Sequence, residues 1–217
     1  MPIFFQQQIN THTGLAVWKI EEDEAFFLQH VPLQRDITHP HKRLQHLAGR
    51  YLLQYLFPDF PINLIKIADT RKPYLEDEAY HFSVSHCSQY AAAIVSKTQR
   101  VGVDNEVSTS KVEKIKHKFL HEEERQWATD NGQPATGNND ALMHQRINLL
   151  TLLWCCKEAV FKWWSYGDVD FSEMIRLQPF ALQTAGQING AFIRNEAHPL
   201  VLHYKFFEEL CLAWVVE

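Results

Sequence analysis

The sequence predicts an α+β fold, with a long helix and several strands in each half of the chain. Three observations predict it. Apolar residues recur at helical spacing over 41–57. A second helical stretch, over 142–166, is apolar nearly all round. Short β-branched and aromatic runs, bounded by turn residues, surround both. The chain has 217 residues, 46% of them hydrophobic, which is enough to bury a sizeable core. Its 22% charged and 12% aromatic residues exclude a disordered polymer.

The elements follow in order. The run TGLAVWKI over 13–20 reads as a strand. Over 41–57, Leu44, Leu47, Ala48, Tyr51, Leu52, Tyr55 and Leu56 share a helix face, and Pro58 closes the helix. Its polar side carries Lys42, Arg43 and Arg50; the two arginines are seven apart and so point the same way. Lys72 precedes Pro73, which favours an extended or turn segment. Strands over 81–85, 90–96 and 101–106, joined by short turns, predict an antiparallel meander. A helix starts within 117–125, and 128–140 (ATDNGQPATGNND) reads as a flexible loop. The 142–166 helix has Gly167 as its C′ residue. Strands near 177–182, 200–207 and 210–216 complete the chain. The two halves, 1–100 and 101–217, are alike in α+β content, which is compatible with a duplicated architecture.

Several function classes recede. The net charge of −5 and pI of about 6.2 argue against a general nucleic-acid binder. The four cysteines, Cys87, Cys155, Cys156 and Cys211, form no CxxC pair, which argues against a zinc site and fits free thiols in a reducing cytoplasm. The N-terminus lacks a basic segment followed by a long apolar run, so no signal peptide is expected. No apolar stretch is long enough for a membrane span; the longest, 149–164, is interrupted by Lys157, Glu158 and Lys162. A Gly-rich phosphate loop and a GxSxG elbow are both missing.

Three clusters could carry chemistry. In VGVDNE (101–106), Asp104 and Glu106 are two apart on a strand and share a face. Either the strand ends there with its acids in water, or a hard cation such as Mg²⁺ or Mn²⁺ relieves their repulsion. In WCCKEAVFK (154–162), Glu158 and Lys162 lie four apart with the acid first. They are either a helix-stabilising pair or functional groups in an apolar setting. His86, in FSVSH (82–86), is either a loop residue or a site residue.

With RKPYL (71–75), these elements stand in a fixed order along residues 70–165. Together they resemble the 4′-phosphopantetheinyl transferase superfamily, in its longer, Sfp-like type. That family carries a G-K-P element, an S-H element, a G-[IV]-D-x-E strand and a W-x-x-K-E-A-x-x-K helix. The resemblance implies two similar α+β halves packed as a pseudo-dimer, with coenzyme A in the cleft between them. It implies transfer of the phosphopantetheine arm of CoA to a serine of an apo acyl, peptidyl or aryl carrier protein, releasing 3′,5′-ADP. By match to the motifs, Asp104, Glu106 and Glu158 would hold Mg²⁺, or Mn²⁺. Lys162 would touch the phosphates, and Glu158 would also be the general base, directly or through water. Lys72, Ser85 and His86 would contact CoA, with Arg43 and Arg50 as further candidates for its 3′-phosphate. A cytoplasmic monomer working on a fatty-acid or secondary-metabolite carrier, with no nucleic-acid or membrane partner, is the matching expectation. Lys111, Lys114, Lys116 and Lys118 form either a docking patch for an acidic carrier or a solvated helix face. Two departures stand out: Arg71 replaces the family's glycine, and Asn105 replaces an apolar residue. A metal-dependent phosphoesterase on a CoA-like nucleotide, and a non-catalytic CoA- or carrier-binding homologue, remain alternatives.

Overall fold

The structure, a computed structural model, describes residues 3–130 and 139–217. The chain is α+β and divides into two compact units, residues 1–105 with Glu217, and residues 106–216. No helix among the described residues is long and apolar enough to cross a membrane.

The first unit begins with β1 (Ile3–Asn10) and β2 (Thr13–Lys19), then the short helix α1 (Glu24–Leu28) and the long helix α2 (Pro40–Leu56). A two-stranded ribbon follows, β3 (Lys66–Ile67) with β4 (Pro73–Tyr74), then β5 (His81–Cys87), β6 (Tyr90–Ser96) and β7 (Val101–Val107), which runs across the unit boundary. The main sheet is antiparallel in the order β1-β2-β6-β5. Strands β2 and β6 are buried on both faces, which is why they read as unbroken apolar runs. Helix α2 packs on β6 and β2, and Leu47, Leu52, Leu53, Trp18, Phe27 and Phe82 form the core.

The expected meander stops after β6. Strand β6 has β2 on one edge and β5 on the other, so no edge remains for a third partner. Strand β7 is instead an edge of the second sheet, ordered β7-β11-β10-β9-β8. Strand β1 escaped the sequence because its Gln6-Gln7-Gln8 run carries no apolar alternation.

The second unit contains α3 (Lys111–Ile115), α4 (Glu122–Asp130), α5 (Asn139–Trp164), α6 (Phe171–Met174), β8 (Ile175–Leu177), β9 (Ala185–Ile193), β10 (Ala197–Phe206) and β11 (Leu210–Val216). Helix α5 lies against β11, and Leu152, Leu153, Cys156 and Val160 meet Leu202, Ala213 and Val215. Of the segment read as a loop, 131–138 lies outside the described residues, and 128–130 and 139–140 belong to α4 and α5. Helix α5 ends two residues earlier than the sequence suggests. Ser165 takes the left-handed position (φ 76°), and its hydroxyl donates to the carbonyls of Lys162 and Trp163. The strand expected near 177–182 is only Ile175–Leu177, and β9 was not foreseen, because Gln187, Asn189 and two glycines dilute its pattern.

One buried ion pair fastens this unit. Lys157 is 0% exposed. Its Nζ donates to Glu124 Oε2 at 2.5 Å, to the Phe171 carbonyl at 3.0 Å and to the Ile175 carbonyl at 2.7 Å. Glu124 is equally engaged: Oε2 accepts the His121 N–H at 2.8 Å, and Oε1 accepts the Leu177 N–H at 2.8 Å. The His121 bond is half of a capping box for α4, since Glu124 is the third residue of the helix. Burial pushes the Lys157 pKa down, and Glu124 opposes that shift.

Arg71 explains its own departure from the family pattern. Its φ is 65°, in a turn closed by Arg71 N–H to the Ala68 carbonyl (2.8 Å) and Ala68 N–H to the Lys72 carbonyl (2.9 Å). Only glycine adopts this conformation freely; other L-residues lose about 1–2 kcal/mol there.

Two stability predictions follow from these contacts. Glu124→Leu should lower the urea unfolding free energy by about 3–5 kcal/mol, because it strands a buried ammonium and two N–H groups. Lys157→Met should cost less, since Glu124 keeps both N–H donors; equal losses would contradict this account. At the turn, Arg71→Gly should be neutral or stabilising by up to about 1 kcal/mol, whereas Arg71→Val should destabilise.

Candidate active site

The candidate residues of the first unit gather around β5, whose alternation sends neighbours to opposite faces. Phe82 and Val84 face the core under α2. The other face, carrying Ser83, Ser85 and Cys87, meets β7. Ser83 Oγ accepts the Val103 N–H at 3.2 Å, and Ser85 Oγ donates to Asp104 Oδ1 at 2.6 Å. Asn105 is 0% exposed, and its Nδ2 donates to Cys87 Sγ at 3.3 Å. Its Oδ1 is buried without a hydrogen-bond partner among the described residues, so the polar side chain is only half satisfied there.

Asp104 itself is only 4% exposed. Its hydrogen bond to Ser85 fixes the carboxylate, the kind of second-layer support that orients a metal ligand. Glu106, two residues on along the same strand, is half-buried. These are hard oxygen donors, and their chemistry fits Mg²⁺ or Mn²⁺ rather than a softer metal. Among the described residues, no group of three or more His, Cys, Asp or Glu side chains is arranged to hold a metal ion. In the second unit, Glu158 and Lys162 sit one turn apart on α5, both half-buried, while Lys157, just before Glu158, points into the core.

A cluster of basic side chains lies where α2 meets β5. Arg50 is 5% exposed, yet makes no ion pair among the described residues; its Nε donates to Gln34 Oε1 at 3.3 Å. The Gln34 amide is held in turn by its Nε2, which donates to the Ile62 carbonyl at 2.6 Å. Burial, with Arg35 nearby, pushes the Arg50 pKa down to about 10. One turn before Arg50 stands His46, whose Nε2 is buried without a hydrogen-bond partner. Burial pushes its pKa down to about 4, reinforced by Arg50, Arg35 and His86. Four basic groups thus lie near one another, and among the described residues no acid offsets the charge felt by Arg50 or His46.

Close helix–strand contact makes this possible. A Cβ on Gly49 would lie 2.6 Å from Val84 Cγ1, so only glycine lets α2 settle this deeply onto β5.

Arg43 behaves differently from Arg50 although both lie on α2. Its guanidinium is ion-paired with Glu24 of α1, which raises its pKa, and also donates to the Ile37 carbonyl at 3.3 Å. Lys72 belongs to another basic group. Burial and the neighbouring Arg100 push its pKa down to about 8, and the same two cations act on His81. Sequence reasoning missed Arg35 and His46. The usable signal was the four-residue spacing of His46 and Arg50 inside the buried stripe of α2.

The model of the 4′-phosphopantetheinyl transferase superfamily matches residues 100–215, more than half of the chain. The chain belongs to that superfamily. No curated protein matches it.

Holding Arg50 charged in this buried position costs roughly 3 kcal/mol. Arg50→Met should therefore raise the urea unfolding free energy, by roughly 1–3 kcal/mol. Inorganic phosphate at constant ionic strength should raise the Tm of the wild-type chain and leave that of the variant unmoved. An Arg50→Met chain that is less stable, with an unchanged phosphate response, would show that Arg50 carries no uncompensated charge that an anion relieves.

Proposed function

We propose that this chain transfers the 4′-phosphopantetheine group of CoA to a serine of an apo carrier protein, with Mg²⁺, releasing 3′,5′-ADP. Membership of the superfamily supports a phosphopantetheinyl transferase activity. The observation that carries the reading to CoA is the buried Arg50 without a counter-ion in a chain of net charge −5. A buried cation without a partner is expensive unless a ligand supplies the anion. The 3′-phosphate of CoA meets that requirement, with Arg50, Arg35, His46 and His86 as its contacts. Arg43, already neutralised by Glu24, is then a structural residue of the α1–α2 contact. The two compact α+β units support the longer, Sfp-like type, and a monomer. The four free cysteines fit a cytoplasmic setting.

In this mechanism the serine Oγ bonds to the β-phosphorus, and the bond from that phosphorus to the bridging oxygen breaks. The 3′,5′-ADP leaves, and the serine proton passes to Glu158, directly or through water. Lys162 and Lys72 neutralise phosphate oxygens as charge builds on them. Asp104, Glu106 and Glu158 would hold Mg²⁺, which supplies charge stabilisation at the pyrophosphate. Ser85 keeps Asp104 in place, a positioning role beside the CoA contact expected of it. The exposed Lys111, Lys114 and Lys118 offer a basic surface to an acidic carrier.

A panel of apo carriers incubated with CoA and Mg²⁺ tests this by mass spectrometry. At least one carrier should gain the phosphopantetheine mass, and EDTA should abolish the gain. Glu158→Gln should lower kcat by about 10²–10⁴-fold with folding intact. Carrier-independent cleavage of CoA would instead point to a phosphoesterase. CoA binding without turnover, indifferent to Glu158→Gln, would point to a binding homologue.

A further inference from the structure

We propose that His46 is the proton-coupled contact of the basic cluster between α2 and β5, taking up a proton as the 3′-phosphate of CoA binds. The inference rests on the reading of the chain as a CoA-dependent transferase and adds a mechanism for choosing between phosphate forms.

The geometry is specific. His46 Nε2 is shielded from water and bonded to nothing. The charged groups whose fields reach the ring are Arg50 from its own helix, Arg35 from the segment before that helix, and His86 from β5. Strands β2 and β6 beneath α2 contribute Ala16, Ala91, Ala93 and Val95 to the shared core, and no charge. The ring thus faces positive charge, with no compensating acid among the described residues. In this setting it stays neutral, with its pKa at about 4.

A phosphomonoester changes the sign of that field. Its second pKa is about 6, so at neutral pH it brings close to two negative charges and only acceptor oxygens. The arginines are always charged, and His46 is the group on α2 that can adjust. An anion within hydrogen-bond reach favours the charged imidazolium and gives Nε2 a partner. The proton comes from solvent, no covalent bond changes, and the complex binds more protons than its separated parts. Affinity for CoA therefore falls as pH rises, by up to about tenfold per pH unit while His46 titrates in the complex. A phosphodiester, with a single charge, drives the same protonation more weakly.

Calorimetric titration of the full-length chain with CoA, at pH ~7.0 in buffers of different ionisation enthalpy, reads the proton directly. At that pH the ligand's own phosphate is nearly all dianion, so its contribution is small. The wild-type chain should take up more than about half a proton per CoA bound. His46→Gln should bind CoA more weakly, with uptake near zero and a flat pH dependence. The wild-type chain with 3′-dephospho-CoA should also show no uptake. CoA binding without uptake overturns the proposal and leaves the transferase reading standing, since neutral His46 would then donate from Nε2 as it is. Uptake that survives His46→Gln and vanishes in His86→Gln, or that appears equally with 3′-dephospho-CoA, also overturns it. Absence of any CoA binding overturns both.

Discussion

The Lys157–Glu124 pair is the interaction on which the second unit depends. A fully buried ammonium would be intolerable alone. Here one carboxylate and two carbonyls surround it, and the carboxylate closes the start of α4 and holds the last N–H of β8. Four separate elements therefore meet at one charge pair. Its consequence for the site is rotational. With Lys157 locked inward, the next residue on α5 must turn about 100° away, which brings Glu158 to the half-buried side with Lys162 one turn beyond. Packing of Leu152, Leu153 and Val160 alone would tolerate a small roll of this helix, whereas a charge pair with fixed partners does not.

The first unit uses the opposite arrangement. Arg50 is nearly as buried as Lys157, but is left without an acid. The comparison separates two uses of buried charge within one chain. A pair whose every donor and acceptor is matched has no capacity left for a ligand. A guanidinium held by a single amide, beside a second arginine and two histidines, retains that capacity. The overall acidity of the chain gives no sign of this, because net charge sums over the surface and the basic cluster is local.

Much of the framework was legible in the residues. The α2 stripe, the β5–β6 hairpin, β10 and β11 follow from periodicity and turn residues, since packing on a single core imposes those periods. The family was legible from ordered motifs. The pairing of β7 was not, because edge occupancy is decided by β1 and β2, far away in the chain. Strand β9 was hidden by its glycines, whose value is spatial: a Cβ at Gly190 would lie 2.7 Å from the Arg176 carbonyl. The partners of Ser85 and Arg43 were hidden for a related reason. A motif names residue types, while the hydrogen bond to Asp104 and the ion pair with Glu24 depend on partners outside it. Lys157 read as an interruption of an apolar helix because its partner lies 33 positions away.

The contact between Gly49 and Val84 also limits the routes by which this chain can evolve. Adding a methyl group at position 49 while Val84 keeps its size forces a stiff β-branched side chain out of place, beside the residues that form the basic cluster. Trimming Val84 first leaves only a small void, which a later alanine at position 49 could fill. The two sites can therefore drift in one order and not readily in the other. Descendants carrying a larger residue at 49 should have a smaller one at 84.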